Sequence, residues 1–210
     1  MGFYNFKAPS LPLQTKDYDQ GQINQFANAL RLYFNRLDSA FLNLSGPTGG
    51  AALQFPYGGF YDTTTQTAAA INTAYPVTLN STIVHNSVDI DPTYTSRMVV
   101  SIGGVYNFQA SVQMTNATTT STNGYIWLWG RVNGVNIPYS ASKIELSGTA
   151  PDEVAYADTF LVQLNASDYF ELMWATDNLD CKLLSQSATA FCPAVNSINI
   201  TATCVSAVYA

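Results

Sequence analysis

The sequence is short of charge, histidine and cysteine, and each shortage removes a class of function. Charged residues make up 10% of the 210-residue chain, against roughly 25% in ordinary soluble domains. The polar surface must therefore be built from Thr, Ser, Asn and Gln. Lys and Arg number 8 against 14 Asp and Glu, for a formal net charge of −6. That balance lacks the basic footprint by which proteins hold nucleic acid. His85 is the only histidine, and a histidine-based triad needs nucleophile, base and orienting acid together. It reads as an ordinary histidine at the end of a strand. No Gly-x-Ser-x-Gly elbow and no phosphate-cradling glycine loop occurs. No catalytic residue and no cofactor is assigned, and the chain is expected not to be an enzyme.

Cys181, Cys192 and Cys204 form an odd set without the close pairs that metal sites favour. They read as buried free thiols on or near strands, with one disulfide and a spare thiol as the second reading. Asp89-Ile90-Asp91 could place two carboxylates on one face of a strand, while Asp177 with Asp180 and Asp152-Glu153 after Pro151 read as solvated turns. They fall short of the ~6–8 oxygen ligands of a calcium site, so no metal is expected. No apolar run reaches ~18 residues, and no membrane partner is expected. The start, Met1-Gly2-Phe3-Tyr4-Asn5-Phe6-Lys7, lacks a cationic segment followed by a long apolar one, and Phe6 stands where a myristoylation signal needs Ser or Thr.

What is present divides the chain into four parts. Residues 1–14 read as an extended docking arm: Phe3, Tyr4 and Phe6 cluster, and Pro9 and Pro12 push their predecessors to extended geometry. A free end has no use for three aromatics in six residues; a neighbouring protein does. Residues 15–45 hold an amphipathic helix. Asp19 is a candidate N-cap with Gln22 completing a capping box. Ile23, Phe26, Leu30, Tyr33, Leu37, Ala40 and Leu44 then recur in alternating steps of three and four, with Phe34, Phe41 and Leu42 widening the stripe. Two readings stand: a helix lying on its own domain, or self-association of helices from several copies. About three heptads are marginal for a free-standing coiled coil, so the second needs a trimeric domain or a host surface. Residues 46–59 form a linker punctuated by Gly and Pro at both ends.

Residues 60–210 read as all β. Tyr106, Phe108, Ala110, Val112 and Met114 alternate with Asn107, Gln109, Ser111 and Gln113. The segment 125–132 is apolar on both faces, as suits a central strand, and Trp127 and Trp129 share one face as core or trimer contacts and not as a sugar platform. Asn133-Gly134 between valines predicts a two-residue hairpin. Strands are expected at 160–164 and 169–176, split by Asn165-Ala166-Ser167-Asp168, and a last one runs through Ile198, Ile200, Ala202 and Cys204. This spacing predicts a sandwich or jelly roll behind an N-terminal helix and arm. The uncharged stretch 115–123, with Thr118, Thr119, Thr120 and Asn123, and the aromatic Tyr139 after Pro138 are candidate recognition residues.

The run 97–108, Arg-Met-Val-Val-Ser-Ile-Gly-Gly-Val-Tyr-Asn-Phe, resembles the core strand pair of the complement and tumour-necrosis-factor-like jelly rolls. Val132-Asn133-Gly134-Val135 is similar to that family's central hairpin, and Leu161 to Leu172 resembles its strand, Asp-containing turn and next strand. Ser167 departs from the pattern, standing where the family often has Gly. The resemblance spans about residues 75–208 and implies a trimer, with Val105, Tyr106, Phe108, Trp127 and Trp129 as core or threefold contacts and the termini together at one end. The segment Gln22 to Asn35 resembles the start of tailed-bacteriophage virion proteins, and Gly59 to Thr67 is similar to the lead-in to their jelly rolls. Together these imply a virion-surface homotrimer docked on a capsid or tail protein through Phe3, Tyr4, Phe6, Ile23, Phe26, Leu30, Tyr33, Phe34 and Leu37. A capsid decoration or head-fibre protein is one form; a short tail fibre or adhesin reading a host surface glycan or protein is the other. A secreted trimeric binding module is a third class.

Overall fold

The computed structural model describes residues 9–11, 20–45, 55–117, 122–149 and 151–207. Phe3, Tyr4 and Phe6 of the expected arm, the candidate N-cap Asp19, and Thr118, Thr119 and Thr120 lie outside the described residues. The chain divides into two compact units, Met1–Gln54 and Phe55–Ala210.

In the first unit α1 runs over Gln20–Ser45, 26 residues, or ~39 Å at 1.5 Å per residue. Its interior after Gly21 has neither Gly nor Pro, and it stops where Gly46-Pro47 forbids another turn. Its polar side chains bond locally: Arg31 Nη2 donates to Asn28 Oδ1 at 3.1 Å and Ser39 Oγ to the Asn35 carbonyl at 2.9 Å.

The second unit is built from β1 (Tyr57–Asp62), β2 (Gln66–Thr67), β3 (Tyr75–Pro76), β4 (Ser81–Asn86), β5 (Val88–Ile90), β6 (Met98–Val100), β7 (Gly104–Asn116), β8 (Gly124–Val132), β9 (Val135–Asn136), β10 (Ser142–Leu146), β11 (Asp152–Leu164), β12 (Tyr169–Thr176), β13 (Cys181–Leu183) and β14 (Ile198–Ala207). All pairings are antiparallel. One sheet orders β4-β1-β14-β7-β11, with β13 taking up the β14 side at the far end of β7 and β2 pairing with β13. The other orders β5-β6-β12-β8-β10, with β3 beside β12 and β9 beside β8.

The alternation expected along β7 holds. Tyr106, Phe108, Ala110, Val112 and Met114 are all buried, as are Ile198, Ile200 and Ala202 from β14. Opposite them Met98, Ile126, Leu128, Phe170, Leu172 and Trp174 supply the other half of one core. Phe108 and Phe170 stack across the two sheets with centroids 4.2 Å apart, and Phe160 leans on Phe170 at 5.4 Å.

The predicted hairpin is present: Asn133 and Gly134 have φ of 48° and 80°, and Val132 pairs with Val135. Two positive φ values define the mirror-image turn that matches strand twist. Ser167 stands at φ 73°, so the turn keeps the left-handed backbone that glycine favours although the residue is serine. The two turns are tied together. Asn133 Nδ2 donates to Asp168 Oδ1 at 2.7 Å, and the Tyr169 amide donates to Asn133 Oδ1 at 3.0 Å.

Several expectations are corrected. Asp152-Glu153 are not a turn; they open β11, a strand of 13 residues of which only 160–164 was expected. Strand β1 begins at Tyr57, inside the expected linker. Trp127 and Trp129 are not core residues: they are half-buried on the outer face of their sheet, because Ile126 and Leu128 take the core side of β8. Val105 is likewise half-buried, opposite in phase to the buried Tyr106. All three cysteines are free, but only Cys181 is buried; Cys192 is exposed and Cys204 intermediate. Thr115 and Asn116 of the expected loop are buried at the end of β7.

Candidate functional site

Three surfaces carry the residues singled out in the sequence. The first is the apolar side of α1. At 100° per residue, Ile23, Phe26, Leu30, Tyr33, Phe34, Leu37, Ala40 and Phe41 fall within an arc of about 120°. Ile23, Phe26, Phe34 and Phe41 are 48%, 40%, 56% and 61% exposed; Leu30, Tyr33, Leu37 and Ala40 are half-buried. Four large apolar side chains are thus exposed on one side of the helix.

The second is the outer face of the β4-β1-β14-β7-β11 sheet. The register sets Tyr57, Gly59 and Tyr61 beside Thr203, Thr201 and Asn199. These sit beside Asn107, Gln109 and Ser111, and those beside Leu161, Thr159 and Ala157. None of these side chains carries a charge. Tyr57 and Leu161 are 43% and 66% exposed. Asn107 Oδ1 is buried with no hydrogen-bond partner. The face ends at β11, whose outer edge pairs with no strand among the described residues. Asp152, Glu153 and Asp158 put charge along this edge, which blunts pairing with a further strand.

The third is the outer face of the other sheet. Tyr125, Trp127, Trp129 and Arg131 follow one another along β8, and the register places Ala175, Met173 and Glu171 beside the last three. Glu171 is only 2% exposed. Its carboxylate accepts from Ser96 Oγ at 2.7 Å and Arg131 Nε at 2.9 Å, with Arg131 Nη2 at 2.8 Å. Arg97 stands by with Nε 3.6 Å from Glu171 Oε1, too long for a hydrogen bond. The Arg97 guanidinium packs on the Tyr94 and Tyr169 rings at 3.9 and 4.4 Å. This cluster was not foreseen, since only the β8–β12 register brings Arg131 to Glu171.

A shallow cleft of ≈ 620 Å³ lies beside these sheets, lined in part by Asp62, Asp91, Thr64, Thr78 and Asn80. Asp62 is buried and satisfied by neutral donors, among them the Thr64 amide at 2.7 Å and Thr78 Oγ1 at 3.1 Å. The amides of Thr93 and Tyr94 hold the Asp91 carboxyl below its usual range, with the Tyr94 amide the larger cause. His85 lies on the exposed β4 with Nδ1 2.6 Å from Asp89 Oδ1, side chains 55% and 52% exposed. Asn123 is exposed, donates to Glu145 Oε1 at 2.8 Å and accepts from the Gly148 amide. Tyr139 is fully exposed with φ 60°. Among the described residues no group of three His, Cys, Asp or Glu could hold a metal ion, and no helix is long and apolar enough to cross a membrane. No family model matches the chain, and no curated protein matches it.

Proposed function

We propose that this chain is a non-enzymatic virion structural protein of a tailed phage, a homotrimer that docks on the capsid through its N-terminal arm and helix and displays a jelly roll. Strand order supports the jelly roll. From β7 onward the chain alternates between the sheets: β7 in the first, β8 and β10 in the second, β11 back in the first, β12 in the second, β14 in the first. Such crossings between two facing sheets support a jelly roll over a simple meander.

The observation that carries the trimer is the uncharged outer face running from Tyr57 to Leu161 across four strands. Four strands at ~4.8 Å and the five residues from Tyr57 to Tyr61 at ~3.3 Å make it ~20 by ~17 Å, about 300 Å². A stable interface takes ~800 Å² per partner, so the sheet face alone falls short and the α1 face supplies the remainder. Closed cyclic symmetry buries both in every copy and leaves no edge for open-ended growth. The acidic body, with four basic and eleven acidic side chains beyond residue 46, keeps displayed copies apart and soluble.

The second reading is a short tail fibre or adhesin, favoured by the fully exposed Tyr139. Imaging gold-labelled protein on purified particles separates the two: label on the head shell supports decoration, label at the tail supports the adhesin. Deleting residues 1–45 abolishes particle incorporation and, by removing the α1 share of the interface, weakens the trimer. A deletion that still loads onto particles contradicts the docking role.

A further inference from the structure

The second sheet's outer face has chemistry that neither trimerisation nor docking uses. Tyr125, Trp127 and Trp129 lie along one strand, half-buried, with their polar ends engaged at the rim. The Tyr125 hydroxyl donates to Glu145 Oε1 at 3.1 Å, and Trp129 Nε1 donates to Asn136 Oδ1 at 2.9 Å. The Tyr125 and Trp127 rings are 6.0 Å apart, and successive side chains on this face advance ~6.6 Å. Met173, 2% exposed, pairs with Trp129 and floors the strip. Lys143 sits over it, Nζ 3.7 Å from the Tyr125 centroid and 5.4 Å from that of Trp127. Among the described residues Lys143 forms no ion pair.

We propose that this strip binds an acidic oligosaccharide, with pyranose faces stacked on Trp127 and Trp129 and a sugar carboxylate on Lys143. A pyranose ring presents an apolar C–H face and a hydroxyl rim, which needs flat aromatic surface bordered by polar groups. A protein partner would want a continuous apolar patch, and here Arg131, Glu171, Lys143 and Glu145 interrupt it. The acidic character follows from charge placement. Three of the four cations in the body, Arg97, Arg131 and Lys143, belong to this face; Glu171 ion-pairs with the two arginines and Glu145 is held by Tyr125 and Asn123, which leaves the Lys143 ammonium open to a ligand. A polyphosphate is disfavoured because it offers no apolar ring face to stack on Trp127 and Trp129.

The test is titration of the full chain with hyaluronan and oligogalacturonate hexasaccharides, with cellohexaose as the uncharged control. Tryptophan fluorescence and calorimetry report binding. An acidic probe should quench Trp127 and Trp129 while the buried Trp174 stays unaffected. Trp129→Ala should weaken binding more than about tenfold. Lys143→Gln, at an exposed position, should keep the melting temperature and erase the preference for the acidic probe. Silence with both acidic probes, equal binding of cellohexaose, or binding unchanged in Trp129→Ala and Lys143→Gln would each overturn the proposal.

Discussion

The stacked pair Phe108–Phe170 offers a quantitative test of how the two sheets are held together. Both rings are fully buried, their centroids are 4.2 Å apart, and the planes meet at 13°. Replacing either by Ala removes a ring from the middle of the core and leaves a cavity the sheets cannot close, at a cost of ~3–5 kcal/mol. For a domain of this size that lowers the melting temperature by ~2–4 °C per kcal/mol, so about 6–20 °C. The two sites share one cavity and one ring contact, so the double variant should cost less than the sum of the singles by ~1 kcal/mol or more. Urea denaturation of the wild type, both single variants and the double variant at one protein concentration measures this. Phe191→Ala is the control: that side chain is 91% exposed and should shift stability by less than ~0.5 kcal/mol. Additive single costs, within ~0.3 kcal/mol, would mean that the rings do not share a core.

Three further outcomes are expected. Glu171→Gln strands Arg97 and Arg131 without their buried countercharge and should cost about 2–4 kcal/mol, reduced by the partial exposure of both arginines; a loss under ~1 kcal/mol in the same denaturation assay speaks against the network. The Asp168 carboxyl is held below its usual range, first by the Asn165 amide and then by Asn133. Its folded-state value lies under the unfolded one, so its stabilisation is complete above about pH 4 and vanishes as pH falls through the lowered value. The stability gap between wild type and Asp168→Asn should therefore close in acid, and a gap independent of pH counts against the assignment. Burial pushes the Cys181 thiol up to about 11, while Cys192 is exposed. A thiol reagent at pH 8 should label Cys192 rapidly and Cys181 only after unfolding, and fast native labelling of Cys181 would be the contrary result.

What was legible in the sequence were the features that repeat locally. The helix showed itself because apolar residues recur in steps of three and four and Gly46-Pro47 stops them. Strands β7 and β14 showed themselves by strict alternation, and the 133–134 turn because Asn-Gly accepts two positive φ values. Strand β11 was half missed: Glu153, Ala155, Ala157 and Thr159 are exposed on an edge strand, so its first half lacks the apolar contrast that marks a buried face. Trp127 and Trp129 share one face of their strand, which the sequence reads as core or trimer contact; the core half of that reading fails because Ile126 and Leu128 hold the inward phase. The Arg97–Glu171–Arg131 cluster depends on pairing across segments tens of residues apart, which no local pattern records.

The measurement that bears most directly on the account is the mass of the intact protein in solution by light scattering across a dilution series. Association through the uncharged sheet face and the apolar side of α1 predicts three times the 22.8 kDa of one chain, held to low concentration. The same mass should fall toward that of one chain when Leu161, 66% exposed on that face, is changed to Arg. A single-chain mass at every concentration, with wild type and Leu161→Arg alike, would contradict it.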